Sequence, residues 1–466
     1  MHVTQDEPWD VLVLGAGSGG YATALRAAQL GLRVALVEQD KVGGTCLHRG
    51  CIPTKALLHA AEVADQVRHA HDVGVRASFE DVDQAALQRY QEQVVRRLYQ
   101  GLQGLVSASS VDLFAGHGRL VGPDVLRVTG PDGSTQDLTG RHVVLATGSR
   151  SRTLPGITVG GRIITSDDAL ENVQVPRHAI VLGGGVIGVE FASLWRSLGA
   201  DVTVLEALET LVPAEDPSLS TGLARAFRRR GIDVRTGVRV SSATQDADGV
   251  RVTLADGSAV DGDLLLVAIG REPVTDESGL AEQGVRITDA GIHTDAALHT
   301  GVGSIYAVGD VVPGLQLAHR GFAHGISVAE RISGMTPQPI AEETIPRVTY
   351  SDPELASVGL TEPEARDRYG DDGVRVLEYS LAGNGRSQIL GSTGLVKIVR
   401  QTEGPIVGVH LIGARVSEQI GEAQLWVGWE AYPQDIAAFI HAHPTQNEAL
   451  GEAALALAGQ PLHSHT

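Results

Sequence analysis

The chain has 466 residues, a formal net charge of −19, 57 glycines and an aromatic content of 4%. That length predicts two to four domains with ample core, and the glycine content fits a loop-rich α/β protein. The acidic balance excludes binding to a nucleic-acid backbone, for which the field has the wrong sign. The N-terminal stretch carries Asp6, Glu7 and Asp10 with no basic region or apolar run, so no secretory leader is expected. No apolar run is long enough to span a membrane, which makes a soluble cytoplasmic enzyme without a membrane partner the expectation.

Asp10-Val-Leu-Val-Leu-Gly15 has the pattern of a buried parallel strand. It leads into Gly15-Ala-Gly17-Ser-Gly19-Gly20, an alanine-rich helix to about Leu30, and a second strand from Arg33 to Glu38. Strand, G-x-G-x-x-G, helix, strand and terminal carboxylate together make a dinucleotide-binding fingerprint. Gly15, Gly17 and Gly20 let the backbone approach a pyrophosphate at the helix N-terminus. Glu38 is placed to accept hydrogen bonds from ribose hydroxyls.

Gly43 to Lys55 reads G-G-T-C-L-H-R-G-C-I-P-T-K and holds the only two cysteines, Cys46 and Cys51. In one continuous helix their spacing would exceed the roughly 7 Å Cα limit for a disulfide. Cys46 is therefore predicted on a loop, and Cys51 at the first turn of the following helix. Pro53 fits such a first turn, where its missing N–H leaves no bond unmade. A thiol at a helix N-terminus has its anion stabilised, which suits a redox thiolate. In a reducing compartment a close pair is more often catalytic than structural. Lys55 is one of only three lysines and lies one turn beyond Cys51 on the same face, so it is a candidate positive charge beside the sulfur.

A long helical stretch follows from about Asp83 to Ser110, and the half closes with the strand Val143-Val-Leu-Ala-Thr147-Gly148. The fingerprint then recurs. Gly183, Gly185, Gly188 and Glu206 stand 168 residues beyond Gly15, Gly17, Gly20 and Glu38 without slippage, and Leu265 to Gly270 closes the second half. Two dinucleotides are expected, one per half. Glu206 would repel a 2′-phosphate, and no Arg occurs between it and Arg225, which favours NAD over NADP.

Ser304-Ile-Tyr-Ala-Val-Gly309-Asp310 is a strand ending in a turn. From about Thr344 the pattern changes to α+β, with strands at Leu395–Arg400 and Ile406–Leu411 and helices near Glu362–Arg368 and Glu418–Trp429. Near the end, His441-Ala-His443-Pro444-Thr445-Gln446-Asn447-Glu448 contains a capping box, Thr445-x-x-Glu448, opening a helix from Gln446 to about Ala458.

G-G-T-C-x4-G-C-I-P-T-K resembles the redox-disulfide signature of the flavoprotein disulfide reductases, most closely the dihydrolipoamide dehydrogenases, and H-x-H-P-T-x-x-E resembles their acid–base motif. The motifs follow the family's order from about Asp10 to Gly459. The resemblance implies an α/β fold of two Rossmann-like dinucleotide-binding domains and a C-terminal α+β dimerisation domain. Residues 1–150, completed by 272–343, would bind FAD, 151–271 would bind NAD, and 344–466 would form the dimer interface. It assigns cofactor contacts to Gly44, Thr45, Lys55, Gly118, Thr147, Gly148, Ser149, Gly309, Asp310 and Gln316-Leu317-Ala318-His319. In the nicotinamide half it assigns Val186, Ile187, Glu190, Val240 and Gly270.

The same likeness makes Cys46 the sulfur attacked by substrate and Cys51 the sulfur beside the flavin, with Lys55 paired to Glu190. His443, contributed by the partner subunit of a homodimer, would carry the proton, and Glu448 would orient its ring. Gln446 and Asn447 depart from the Leu-Ser usual in the family. The implied reaction oxidises dihydrolipoyl groups carried by a 2-oxoacid dehydrogenase acyltransferase or a glycine-cleavage carrier protein, with reduction of NAD⁺. A glutathione- or mycothiol-type disulfide reductase shares these motifs but uses NADPH, which Glu206 disfavours. A mainly structural subunit of a multienzyme complex is the alternative of another class.

Overall fold

The computed structural model describes residues 7–276 and 278–463. Asp6, one of the N-terminal acids noted above, lies outside them. Two parallel sheets, each followed by a small antiparallel meander, precede one antiparallel sheet.

In the first sheet the order is Val111–Ala115, Val34–Glu38, Trp9–Leu14, Thr135–Leu145, with Ile305–Ala307 paired parallel to Thr135–Leu145. Val11, Leu12 and Val13 have no exposed surface, as expected for strands covered on both faces by helices. The second sheet repeats this, with Asp233–Arg235, Asp201–Leu205, His178–Leu182, Leu264–Val267 and Ile163–Ile164 in order. His117–Gly122, Val125–Thr129 and the start of Thr135–Leu145 make the antiparallel meander of the first half. Val240–Gln245, Val250–Leu254 and Ala259–Gly262 make that of the second. The repeat thus extends well beyond the glycine motifs.

The long helix runs Gln84–Ala108 and is capped by the Asp83 carboxylate, which accepts from Ala86 N at 2.9 Å. It packs beside the helix Cys51–Arg68, which carries the second cysteine. A third long helix, Ala318–Ile332, crosses Ser18–Gln29 at glycine contacts. A Cβ on Gly325 would stand 2.4 Å from Gly19 O, so nothing larger fits there. That approach brings Gly309 and Asp310 up to the first glycine-rich turn.

The final sheet is antiparallel, in the order Arg347–Thr349, Glu354–Gly359, Ile406–Gly413, Leu395–Gln401, Val374–Ser380. It is joined to the second parallel unit by a buried ion cluster, in which Lys397 Nζ lies 2.8 Å from Asp216 Oδ1 and 2.7 Å from Glu362 Oε2. Expected helices are found at Glu362–Tyr369 and Ile420–Gly428, the latter preceded by a short 3-10 turn. The last helix begins at Glu448 rather than Gln446 and ends at Leu457. Among the described residues no helix is long and apolar enough to cross a membrane.

Candidate active site

One continuous cavity of about 1770 Å³ runs between the two parallel units and reaches the antiparallel one. It exceeds the roughly 300–1,000 Å³ of a drug-sized pocket, leaving room for more than one extended ligand. Gly15, Gly17, Glu38, Gly44, Thr45, Gly118, Thr147, Gly148, Ser149, Gly309, Asp310 and Gln316 to His319 line it on one side. Gly183, Gly185, Val186, Ile187, Glu206, Val240 and Gly270 line it on the other, and Cys46, Cys51, Lys55 and Glu190 stand at the junction.

Gly20 and Gly188 are the exceptions among the expected contacts. Both lie inside the turns, where a Cβ would stand 1.8 Å from Gly15 O and 1.9 Å from Gly183 O respectively. Their role is to let strand and helix close together. Gly17 and Gly185 behave oppositely: a Cβ there meets nothing within 4 Å and would project into open space. Each caps a helix whose first turn has no side-chain cap and no acidic residue. Free N–H groups and a positive dipole end are left facing the cavity, as a pyrophosphate requires. The two acids repeat each other atom for atom. Glu38 accepts from Ala16 N at 2.6 Å and Asp40 N at 2.8 Å, while Glu206 accepts from Gly184 N at 2.5 Å and Leu208 N at 2.7 Å. These bonds fix each carboxylate and leave lone pairs for ribose hydroxyls. The residues present therefore fit two dinucleotides.

Cys46 is not on a loop. It sits inside a short helix, Gly44–Arg49, entered through Gly43 and Gly44 at φ +110° and +57°. A Cβ on Gly44 would stand 2.6 Å from Gly17 Cα, so the chain can turn into that helix directly against the first glycine motif. Gly50 ends it, and Cys51 opens Cys51–Arg68 as predicted. The break between the two helices at Gly50 does the work expected of a loop, because it removes the fixed helical separation between the sulfurs.

Both cysteines are free thiols, and their neighbours divide them. The hydrogen bond from Cys46, aided by the nearby Lys55 ammonium, outweighs burial and brings the Cys51 thiol down to about 7. Its partner is pushed the other way, by donating that hydrogen bond and by burial. Cys51 is thus the sulfur that carries the charge. Lys55 Nζ donates to both Glu190 oxygens, at 2.9 and 2.7 Å, and stands 4.9 Å from the centre of the Tyr350 ring. Burial works against its ammonium, but Glu190 and Cys51 prevail and raise its pKa.

Tyr350 was not visible as a site residue in the sequence, because it reaches the cavity from the antiparallel unit, where its N–H donates to Glu190 Oε1 at 2.9 Å. Arg271 was also missed, although it directly follows Gly270. Its guanidinium donates to Ser149 Oγ at 2.8 Å and Ser149 O at 2.7 Å, and Ser149 Oγ donates to Asp310 Oδ2 at 2.6 Å. Arg239, beyond Arg225 in the sequence, lines the cavity together with Glu206. The Glu206 carboxylate, only 9% exposed and already holding two backbone N–H groups, still opposes a phosphate dianion.

His443 Nδ1 lies 2.7 Å from Glu448 Oε1, and Glu448 Oε2 accepts from Thr445 N at 3.2 Å. Burial pushes the Glu448 carboxyl up, but His443 and Thr445 prevail and hold it below the usual range. Neither His443 nor Glu448 lines the cavity of its own chain, and the His443 side chain is 76% exposed. The imidazole–carboxylate pair is complete, but it lies outside the cavity that holds this chain's own sulfurs.

Residues 9–325 match the family model of the pyridine nucleotide-disulphide oxidoreductases, and 345–454 match that family's dimerisation domain. The chain is 39% identical to a dihydrolipoyl dehydrogenase of Bacillus subtilis, covering 98% of this chain and 99% of the relative. It is 40% identical to dihydrolipoyl dehydrogenase 3 of Pseudomonas aeruginosa over 98% and 100%. Among solved structures, LpdA of Mycobacterium tuberculosis superposes with a TM-score of 0.89 at 26% identity, over 96% of this chain and 99% of that one. The flavoprotein disulfide reductase RclA of Escherichia coli does so with a TM-score of 0.85, also at 26% identity, over 96% and 99%. The dimerisation domain makes the protein a homodimer. The chain belongs to the pyridine nucleotide-disulphide oxidoreductase family.

Proposed function

We propose that the protein is a dihydrolipoyl dehydrogenase, which oxidises the dithiol of a protein-bound dihydrolipoyl group and reduces NAD⁺, with FAD as its resident cofactor. The observation that carries this reading is the divided cysteine pair. A thiolate-prone Cys51 at a helix N-terminus stands beside the Lys55–Glu190 ion pair, in a cavity shared by two glycine-rich pyrophosphate turns.

The protein's own residues account for the thiol chemistry. With Cys46 and Cys51 joined as a disulfide, a substrate thiol must lose its proton before it attacks. His443 of one protomer, its ring held by Glu448, is exposed for delivery to the site of the partner, where it removes that proton. The thiolate bonds to Cys46 and the Cys46–Cys51 bond breaks. Cys51 is the better leaving group, because Lys55 and the helix terminus hold its charge. The second substrate thiol then attacks the mixed disulfide and releases Cys46, and the substrate leaves as a cyclic disulfide. When bound, FAD and NAD⁺ supply the acceptor for the electron pair left on the cysteines.

The first parallel unit, with Ser149, Asp310 and Gln316 to His319, is the FAD side of this reading, and the second, around Glu206 and Val240, is the NAD side. The corresponding division is 1–150 with 272–343, 151–271 and 344–466. It is supported by Ile305–Ala307, which returns to pair with the first sheet. The lipoyl group would come from the acyltransferase of a 2-oxoacid dehydrogenase complex or a glycine-cleavage carrier protein. The test is anaerobic titration of the yellow holoenzyme with dihydrolipoamide, followed by turnover with NAD⁺ and NADP⁺ in parallel. The expected result is a long-wavelength absorbance band that Cys51→Ser abolishes, with NAD⁺ strongly preferred. A colourless protein, or preference for NADPH and a different disulfide, refutes it.

A further inference from the structure

The proton-transfer pair does not stand alone. Around the start of the helix Glu448–Leu457 the structure places three imidazole–carboxylate pairs. His443 Nδ1 meets Glu448 Oε1 at 2.7 Å, His441 Nε2 meets Glu422 Oε1 at 2.8 Å, and His463 Nδ1 meets Glu452 Oε1 at 2.9 Å. The second pair is fastened by Asn447, whose side-chain amide donates to Glu422 Oε2 at 2.6 Å. Gly451 makes room for it, since a Cβ there would stand 2.4 Å from the His441 ring.

The third pair comes from the end of the described chain. After Gly459, at φ +78°, stops the helix, the tail turns back and lays His463 against Glu452. The contact is doubled, because His463 N donates to Glu452 Oε2 at 3.1 Å. Glu452 is one helical turn from Glu448, so the two carboxylates are neighbours on one helix face. Tyr379, from the strand Val374–Ser380, senses both charges. The groups facing Glu448 are therefore His443 and His441 from the preceding loop, Glu452 on its own helix, Tyr379 from the sheet and His463 from the tail, with Glu422 behind His441. His463 also contributes to holding the Glu448 carboxyl low, after burial, which opposes it, and His443 and Thr445, which favour it.

We propose that His463, clasped by Glu452, is a positioning residue for the proton-transfer pair: it neutralises the carboxylate next to Glu448 and so sets how firmly His443 holds its proton. This rests on the dihydrolipoyl dehydrogenase reading, in which His443 is the base. The physical argument is one of charge. An unneutralised Glu452 adds a second negative charge behind Glu448, favours the imidazolium of His443, and moves productive deprotonation to higher pH. When a protonated His463 offsets Glu452, Glu448 alone sets the balance. The tail thereby acts on the pH at which the enzyme accepts a dithiol.

The experiment is the pH profile of kcat/KM for dihydrolipoamide in the FAD-loaded dimer, compared among wild type, His463→Gln, Glu452→Gln, the double variant and His463→Lys. The acid limb is expected to move up by about 0.3–0.5 pH unit in His463→Gln, the scale of one unit charge acting across roughly a helical turn near solvent. It should move down in Glu452→Gln, and return to the wild-type position in the double variant and in His463→Lys. A merely structural clasp would shift no limb, or shift both single variants alike, and either result overturns the inference. Coincident limbs with dihydrolipoamide turnover intact overturn the role of His463 and leave the proposed reaction standing. Absence of that turnover in the wild type overturns both.

Discussion

Replacing Lys55 with Met tests the electrostatics of the redox centre most directly. Lys55 Nζ is bonded to both oxygens of Glu190, whose side chain is 4% exposed, against 32% for the lysine. Breaking a fully buried pair by removing one partner costs about 3–5 kcal/mol. Here about 2–3 kcal/mol is expected, because the lysine is partly solvated and Tyr350 N–H still holds Glu190. The thiol effect has a separate sign. Lys55 helps bring Cys51 to about 7, so roughly half of the sulfur is thiolate at neutral pH in the reduced enzyme. Loss of the ammonium should raise the midpoint by about one unit or more, leaving roughly a tenth as thiolate at pH 7. Glu190→Gln should act oppositely, because the Glu190 carboxylate opposes the Cys51 anion. The assay is the pH dependence of alkylation by iodoacetamide after reduction, with the urea midpoint measured in parallel. An unchanged alkylation midpoint in Lys55→Met, or shifts of the same sign in the two variants, would refute the assignment of Cys51 as the charge-bearing sulfur.

Three further outcomes follow from the same geometry. Because the Cys51 thiol is lowered from its ordinary value of 9.0 to about 7, its contribution to stability is complete above about 9 and is lost as the pH falls through 7; the melting temperature of the reduced enzyme, relative to Cys51→Ser, should rise across that window and stay flat if the thiol is unperturbed. Gly185→Ala should leave the melting temperature of the apoprotein near wild type and weaken NAD binding in calorimetry, whereas Gly188→Ala, with its Cβ 1.9 Å from Gly183 O, should unfold the second unit; equal stabilities of the two variants contradict the division of the glycines. Glu448→Ala removes the acceptor that fixes the His443 ring and should lower kcat/KM for dihydrolipoamide by about 100-fold, while a loss below threefold in steady-state assays would show that the ring needs no orientation.

The two glycine-rich turns were legible because their constraints are local and repeat with a fixed offset. A position where a Cβ strikes the backbone of the same turn, as at Gly20 and Gly188, is written into a few consecutive residues. The His443–Glu448 pair was legible for a similar reason, since five residues of loop and one helix start bring the groups together. The setting of Cys46 was not. Thr45-Cys46-Leu47-His48-Arg49 is too short to show helical periodicity, and what folds it is the left-handed backbone of Gly43 and Gly44 pressed against Gly17. Tyr350, Arg271 and Arg239 share a different obstacle, because each meets the site only through the tertiary fold and none carries a motif of its own.

What separates these cases is the distance over which a residue's constraint is imposed. The same division explains why the chain reads as an incomplete enzyme when taken alone. Its cofactor turns and sulfurs are assembled by contacts within one chain, and the cavity encloses them together. Its proposed base is assembled just as firmly, yet outside the lining of that cavity, 76% exposed and held by the Glu448 carboxylate. A group pre-organised this tightly, with its hydrogen-bond partner fixed and its free edge in solvent, makes chemical sense when a second protomer supplies the disulfide it serves. On the proposed reading dimerisation completes the catalytic site, and dissociating the subunits should abolish dithiol oxidation while each chain keeps its own cofactor cavity.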